Sequence, residues 1–118
     1  MDSFEYVRRV LDAYRAAPGT CGAIRKSDRA FALQLFARGV PLAVVENALV
    51  LACARRLARP ADAAPLGMIR SFAYFSPVID EVLGLRVDDA YFHHLRLRLA
   101  RTLRQPSQPQ LAARLRRG

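Results

Sequence analysis

The chain has 118 residues, 53% of them hydrophobic, and nineteen Lys and Arg against ten Asp and Glu give a formal net charge of +9. Its length and apolar content suit one compact soluble domain with a core. Two cysteines exclude a disulfide-rich secreted scaffold and favour a reducing cytoplasm. The acidic residues 1–5 carry no apolar signal segment, and the apolar stretch at 40–54 is too short to span a bilayer, so we expect no membrane partner.

Charge is unevenly spread along the chain. Residues 1–89 contain twelve basic and ten acidic side chains, a net of +2, whereas residues 90–118 contain seven Arg and no acid. Arg binds phosphate and carboxylate through a planar fork that Lys lacks. The pattern predicts an ordinary domain followed by a basic arm.

Helical spacing recurs from the start of the chain, and strand signals are almost absent. Asp2 or Ser3 can cap a first helix, which Pro18 and Gly19 end. The apolar face of this helix is predicted to hold Phe4, Val7, Leu11 and Tyr14.

Gly39 is predicted to separate a second helix from a third. The second helix has Ser27 as its N-cap, and Gly39 ends it. The third runs over about 41–59, and Glu46 and Asn47 are its only polar residues in the first three turns. A helix that is apolar nearly all round is buried on most sides, so this is predicted to be the central helix.

Two further helices follow a linker at 60–67. Ser71 caps the first of them, in which Pro77 either interrupts the helix or restarts it, and Gly84 ends it. The last helix opens at Asp88 and Asp89 and continues to Arg104. Its apolar stripe is predicted to be Tyr91, Phe92, Leu95, Leu99 and Leu103.

These elements predict an all-α fold, a compact bundle of about five helices around the central helix at 41–59. We expect residues 1–104 to form a single helical domain. Residues 105–118, which include Pro106 and Pro109, are expected to be a flexible basic tail.

The turn at Gly39 has the spacing of a helix-turn-helix, in which the second helix enters the DNA major groove. Such a helix needs polar side chains at its N-terminal end to contact base edges. Here that end offers only apolar side chains, namely Leu42, Ala43, Val44 and Val45. The chemistry favours a plain helical hairpin over direct base readout.

The C-terminal arginines are the strongest functional signal. Clustered Arg without acid is typical of phosphate binding, although a solvated charged face or an acidic protein partner would give the same pattern. The predicted nucleic-acid-binding residues are Arg96, Arg98, Arg101, Arg104, Arg114, Arg116 and Arg117. By contrast, the helix dipole alone explains Arg55, Arg56 and Arg59, and the pairs Arg8-Arg9 and Arg25-Lys26 are scattered and weakly informative.

Catalytic and metal-binding patterns are missing from the sequence. His93 and His94 are adjacent on a helix and point about 100° apart, so they do not suit one metal ion. Asp80 and Glu81 likewise face different directions, and no nucleophile pair or phosphate-binding glycine loop is present. We therefore expect a protein that is not an enzyme and has no cofactor.

Two segments resemble a known family when taken together. One is Gly39-Val40-Pro41-Leu42 with the basic helix end Arg55-Arg56, and the other is Ile69-Arg70-Ser71-Phe72-Ala73-Tyr74-Phe75 followed by Val78-Ile79-Asp80-Glu81. Their order resembles the small helical domain of replication-initiator-like and DnaD-like proteins of plasmids, phages and mobile elements. The resemblance covers roughly residues 30–83 and implies an association with bacterial DNA replication or mobile elements.

Two functional hypotheses follow. The first is a nucleic-acid accessory protein that contacts the phosphate backbone through its arginine-rich C-terminal region. The second is a protein-interaction adapter that binds an acidic partner or associates with itself through its helices.

Overall fold

The computed structural model describes residues 1–84 and 89–104. It contains α1 (Ser3–Ala16), α2 (Lys26–Ala37), α3 (Leu42–Leu57), a 3-10 helix (Phe72–Phe75), α4 (Ser76–Gly84) and α5 (Asp89–Arg104). In this part of the chain the only β-type pairing is an isolated parallel bridge between Thr20 and Ile69. The predicted all-α bundle of about five helices is confirmed, and the predicted tail at 105–118 lies outside the described residues.

Helix α1 begins at the predicted cap, because the Asp2 carboxylate accepts a hydrogen bond of 2.8 Å from the Glu5 backbone N–H. The predicted apolar face is wrong in one position, since Phe4 is 78% exposed. The buried face is rotated away from Phe4 and contains Tyr6, Val7, Val10, Leu11 and Tyr14. The Tyr6 hydroxyl donates a buried 2.8 Å hydrogen bond to the Val40 carbonyl, which fixes α1 against the turn before α3.

Helix α2 starts earlier than predicted. Arg25, not Ser27, is its N-cap residue, and the Asp28 carboxylate accepts a 2.8 Å hydrogen bond from the Arg25 backbone N–H. Ser27 is exposed, whereas Asp28 is only 1% exposed. The cap position is therefore set by the carboxylate three residues later, because Asp28 at the N3 position bonds back to the backbone N–H of Arg25 and so fixes Arg25 as the cap.

Gly39 ends α2 as predicted. Its φ of +76° lies in the left-handed region that a glycine adopts without steric cost. The Gly39 and Val40 backbone N–H groups donate to the Phe36 and Leu35 carbonyls, each at 3.0 Å. These bonds satisfy the last carbonyls of the helix and turn the chain sharply into α3.

Helix α3 is the central helix, as predicted, and it packs against α1, the 3-10 helix, α4 and α5. It is slightly shorter than the predicted 41–59, and Pro41 is its N-cap residue and not its first residue. Seven of its sixteen residues are buried, namely Val45, Asn47, Ala48, Leu49, Leu51, Ala52 and Cys53. Packing on several sides explains why its apolar residues are not confined to one stripe.

The connection from α3 to α4 is organised at its end by Ser71. The Ser71 hydroxyl accepts a 3.0 Å hydrogen bond from the Ala73 backbone N–H and so caps the 3-10 helix. Phe72 and Phe75 are fully buried in the core beside Tyr14, with ring centroids 5.4 and 6.0 Å from that ring. Pro77 occupies the first turn of α4, where a missing N–H costs nothing, so it restarts the helix.

Helix α5 packs against α3 through part of its predicted stripe. Phe92 and Leu95 are buried, and Leu99 is partly buried against the core. Tyr91 is 48% exposed and Leu103 is 52% exposed, so the two ends of the stripe are not covered by the rest of the described chain.

Candidate nucleic-acid interface

The basic face of α5 is formed by side chains that follow one another along the exposed side of the helix. His94, Arg98, Arg101 and Thr102 surround a shallow concavity of about 360 Å³, and all four are exposed. Residues four apart on a helix lie one above another, which places His94, Arg98 and Thr102 in one row. The Thr102 hydroxyl donates to the Arg98 carbonyl at 2.9 Å. We call these four residues the α5 basic face.

The predicted arginines do not all lie on that face. Arg96 is directed towards α3, where its guanidinium donates a short hydrogen bond to the Asn47 side-chain carbonyl. It also lines a different groove from Arg98. Arg104 is the last residue of α5. The three remaining predicted residues, Arg114, Arg116 and Arg117, lie outside the described residues.

Several arginines of the helical body bind partners within the protein. Arg55, in the last turn of α3, donates two hydrogen bonds of 2.8 and 2.5 Å to the Glu81 carboxylate of α4. The hydrogen bonds from Arg55 hold the pKa of Glu81 below its ordinary value of 4.5, and the same contact raises the pKa of Arg55. This pair links the ends of two helices that pack together.

Two further arginines at the end of α3 hold the connection to α4. Arg56 donates to the Tyr74 hydroxyl at 3.1 Å and to the Gly67 carbonyl at 2.9 Å. Arg59 donates to the Ala64 carbonyl at 2.7 Å. The helix dipole favours cations at this end of α3, and these arginines also hold the connection to α4 through their hydrogen bonds.

The other ion pairs of the body are exposed. Arg38, the C-cap residue of α2, lies 3.5 Å from the Asp80 carboxylate of α4. On α1, Arg8 pairs with Asp12 at 3.6 Å and Arg9 pairs with Glu5 at 3.7 Å. Such exposed pairs contribute little to stability, but each one neutralises a guanidinium locally.

Arg98 and Arg101 differ from these ion-paired arginines. Neither has a carboxylate within ion-pair distance in the part of the chain that the structure describes. Their guanidinium groups are solvent-exposed on a helix that has no acid after Asp89. The arrangement leaves positive charge available to an external anion.

The segment with helix-turn-helix spacing around Gly39 forms a helical hairpin whose second helix, α3, is buried. α3 follows the Gly39 turn as that motif requires, but Val45, Ala48 and Leu49 near its start are buried. A helix enclosed by neighbouring helices cannot enter a major groove unless the core opens. The plain helical hairpin is the geometry observed.

An apolar groove of about 450 Å³ lies between α1, α3 and α5. Its walls include Ala13, Leu49, Val50 and Leu103, and the half-buried carboxylate Glu46 and the guanidinium of Arg96 also line it. The groove is open to solvent and combines apolar surface with one charge of each sign.

Within residues 1–84 and 89–104, no three His, Cys, Asp or Glu side chains are grouped so that they could hold a metal ion. In the same residues, no helix is both long and apolar enough to cross a membrane. Comparison of the chain with protein-family models, curated proteins and solved structures finds no match.

Proposed function

We propose that this chain is a non-enzymatic nucleic-acid accessory protein of the bacterial cytoplasm that binds the phosphate backbone through the α5 basic face and the arginines that follow it. One observation carries the proposal. The arginines in the last turn of α3 and just after it are hydrogen-bonded inside the protein, whereas the side chains of Arg98 and Arg101 have neither a hydrogen bond nor an ion pair within the described residues.

The chemistry of this face suits phosphate better than bases. Guanidinium groups bind phosphate oxygens in a planar fork, and the α5 basic face presents two of them, Arg98 and Arg101, on one helix. Phosphate contacts position a protein on nucleic acid but carry no sequence information. The proposed binding is therefore electrostatic and nearly independent of sequence.

The cellular role is proposed from the resemblance of residues 30–83. That resemblance supports an accessory role in DNA replication or in a mobile element. In the structure, the two segments that carry it supply the Gly39 turn and the buried Phe72 and Phe75. They support a helical platform for the α5 basic face and supply no base-reading surface.

A second candidate function is a protein-interaction adapter. The groove between α1, α3 and α5 favours it, because Leu103 is 52% exposed beside an apolar floor. An acidic or amphipathic protein segment could pack its apolar side chains in this groove and pair its acidic side chains with the neighbouring arginines.

The proposal is tested by measuring binding of the full chain to labelled duplexes of two unrelated sequences over a salt series. For Arg98→Gln/Arg101→Gln we expect weaker binding to both duplexes by a similar factor. The log–log salt slope should fall by up to about two units, because each lost phosphate contact contributes about 0.9 on duplex DNA.

The matched control is Arg8→Gln/Arg9→Gln, which removes the same charge from side chains already paired with Asp12 and Glu5. It should change the slope much less than the α5 variant does. Failure of the unaltered chain to bind any nucleic acid at low salt would favour the adapter. Strongly sequence-specific binding with little salt dependence would mean that another surface reads bases.

A further inference from the structure

A second basic surface lies at the start of α2. It consists of Arg25, Lys26 and Arg29 from the first turn of α2 and its cap, together with Arg70 from the segment before the 3-10 helix. All four side chains are exposed. We call these four residues the α2 basic surface. The sequence shows them as dispersed, because Arg70 is far from the others along the chain.

The buried carboxylate of Asp28 brings the two segments together. One of its oxygens accepts the Arg25 backbone N–H at 2.8 Å, and the other accepts the Phe72 backbone N–H at 2.9 Å. Because both N–H groups contact one carboxylate, the start of α2 and the residues before the 3-10 helix are neighbours at the surface. Asp28 is 1% exposed, so its own charge is covered by the protein.

The position of these cations is unfavourable for the isolated fold. A helix dipole is positive at its N-terminus, so Lys26 and Arg29 face a charge of the same sign. The arginines at the end of α3 are placed where the dipole stabilises them. Asp28 is the only acid in α2, and both its oxygens already accept backbone N–H groups.

No ion pair within residues 1–84 and 89–104 involves any member of the α2 basic surface. Four exposed cations are therefore gathered from two segments without an ion-pair partner among the described residues, and the helix dipole opposes two of them, Lys26 and Arg29. An external polyanion would supply the missing partner.

We propose that the α2 basic surface is a second contact for the phosphate backbone of nucleic acid, separate from the α5 basic face. This inference rests on the proposed function for the nature of the ligand. The two surfaces belong to different packing units, since α2 packs against α1 and the 3-10 helix whereas α5 packs against α3.

The test uses the full chain with the substitutions Lys26→Gln/Arg29→Gln/Arg70→Gln and a labelled duplex over a salt series. We expect the log–log salt slope to fall by up to about three units. The control Arg8→Gln/Arg9→Gln/Arg38→Gln removes the same net charge from side chains that are already ion-paired. It should lower the slope by less than about one unit.

Thermal unfolding of the same variants separates a binding role from a structural one. The α2 variant should melt at the same temperature as the unaltered chain or slightly higher, because it removes cations from the positive end of a helix. A lower melting temperature together with a slope equal to that of the control would overturn the inference.

The remaining outcomes distinguish the inference from the proposed function. A reduced slope for the α2 variant with no change for Arg98→Gln/Arg101→Gln would contradict the α5 interface and support the α2 basic surface. Absence of any binding to DNA or RNA at low salt would overturn both. Polyglutamate beads test for an acidic partner. If the α2 variant loses binding that the unaltered chain shows to these beads, but binds the duplex as the unaltered chain does, the inference is overturned in favour of an acidic protein partner.

Discussion

Helices α3 and α5 have the same length of sixteen residues, and α3 carries two arginines and α5 four, yet their surroundings differ. α3 packs against four other elements, whereas α5 packs against α3 and leaves Leu97 and Leu103 each 52% exposed. The α3 arginines, Arg55 and Arg56, are hydrogen-bonded to Glu81, to the Tyr74 hydroxyl and to the Gly67 carbonyl. A structural helix differs from a candidate binding helix in whether its arginines have partners within the protein, more than in how many arginines it carries.

The largest expected difference between the two helices is in their contribution to the core. Leu49 of α3 is 4% exposed, so Leu49→Ala should lower the free energy of unfolding by about 2–5 kcal/mol. Leu97 of α5 is 52% exposed, and Leu97→Ala should change it by no more than about 0.5 kcal/mol. Urea titration of both variants measures the two values. Similar losses would show that α5 is as much a part of the core as α3.

A smaller difference is expected at the two glycines that precede these helices. A Cβ added at Gly39 or at Gly84 would meet no atom within 4 Å, but only Gly39 has a positive φ. Gly39→Ala should therefore cost about 1–2 kcal/mol of stability through backbone strain. Gly84→Ala should be neutral or stabilising by up to about 1 kcal/mol, because it lies at a helical position. Denaturant titration measures both changes, provided that the dependence of the unfolding free energy on denaturant concentration stays the same in the variants. An unaffected Gly39 variant would mean that the turn can rearrange.

The smallest effect concerns single arginines and depends on pH. Because Arg55 lowers the pKa of Glu81 in the folded protein, their pairing stabilises the fold above the ordinary glutamate pKa of 4.5. That stabilisation is lost as the pH falls through the lowered pKa. Arg55→Gln should reduce the melting temperature slightly at neutral pH and match the unaltered chain in acid, whereas Arg98→Gln should leave it unchanged at both. A deficit of Arg55→Gln that persists in acid would contradict the ion-pair explanation.

The parts of the fold that depend on local signals could be predicted from the sequence. Gly39 ends a helix because of its own conformational freedom, and Ser71 caps one with its own hydroxyl. The buried character of α3 is visible in its composition, because apolar residues occupy all its sides. Each of these features is determined within a few residues of the chain.

Features that depend on distant partners could not be predicted in this way. Asp28 is bonded to the Phe72 backbone 44 residues away, and this contact defines the α2 basic surface. Arg96 is bonded to Asn47 across 49 residues, which separates it from the α5 basic face. Phe4 has the spacing of a core residue, yet it is exposed and no element of the described chain buries it. Periodicity indicates which residues can share a face but not which faces another element will cover.

The connection between α3 and the 3-10 helix has consequences for how the length of this chain can vary. Arg56 donates a hydrogen bond to the Gly67 carbonyl, and the Ile69 backbone N–H donates one to the Gly19 carbonyl. These bonds hold the chain in register from residue 67 to residue 72. Most of residues 60–66 are exposed. An insertion among these exposed residues would extend a surface loop and leave the core register intact, whereas one between 67 and 72 would displace Phe72 from its buried position. This loop is therefore the natural place in the molecule to add an affinity tag or a fluorescent label between two helices.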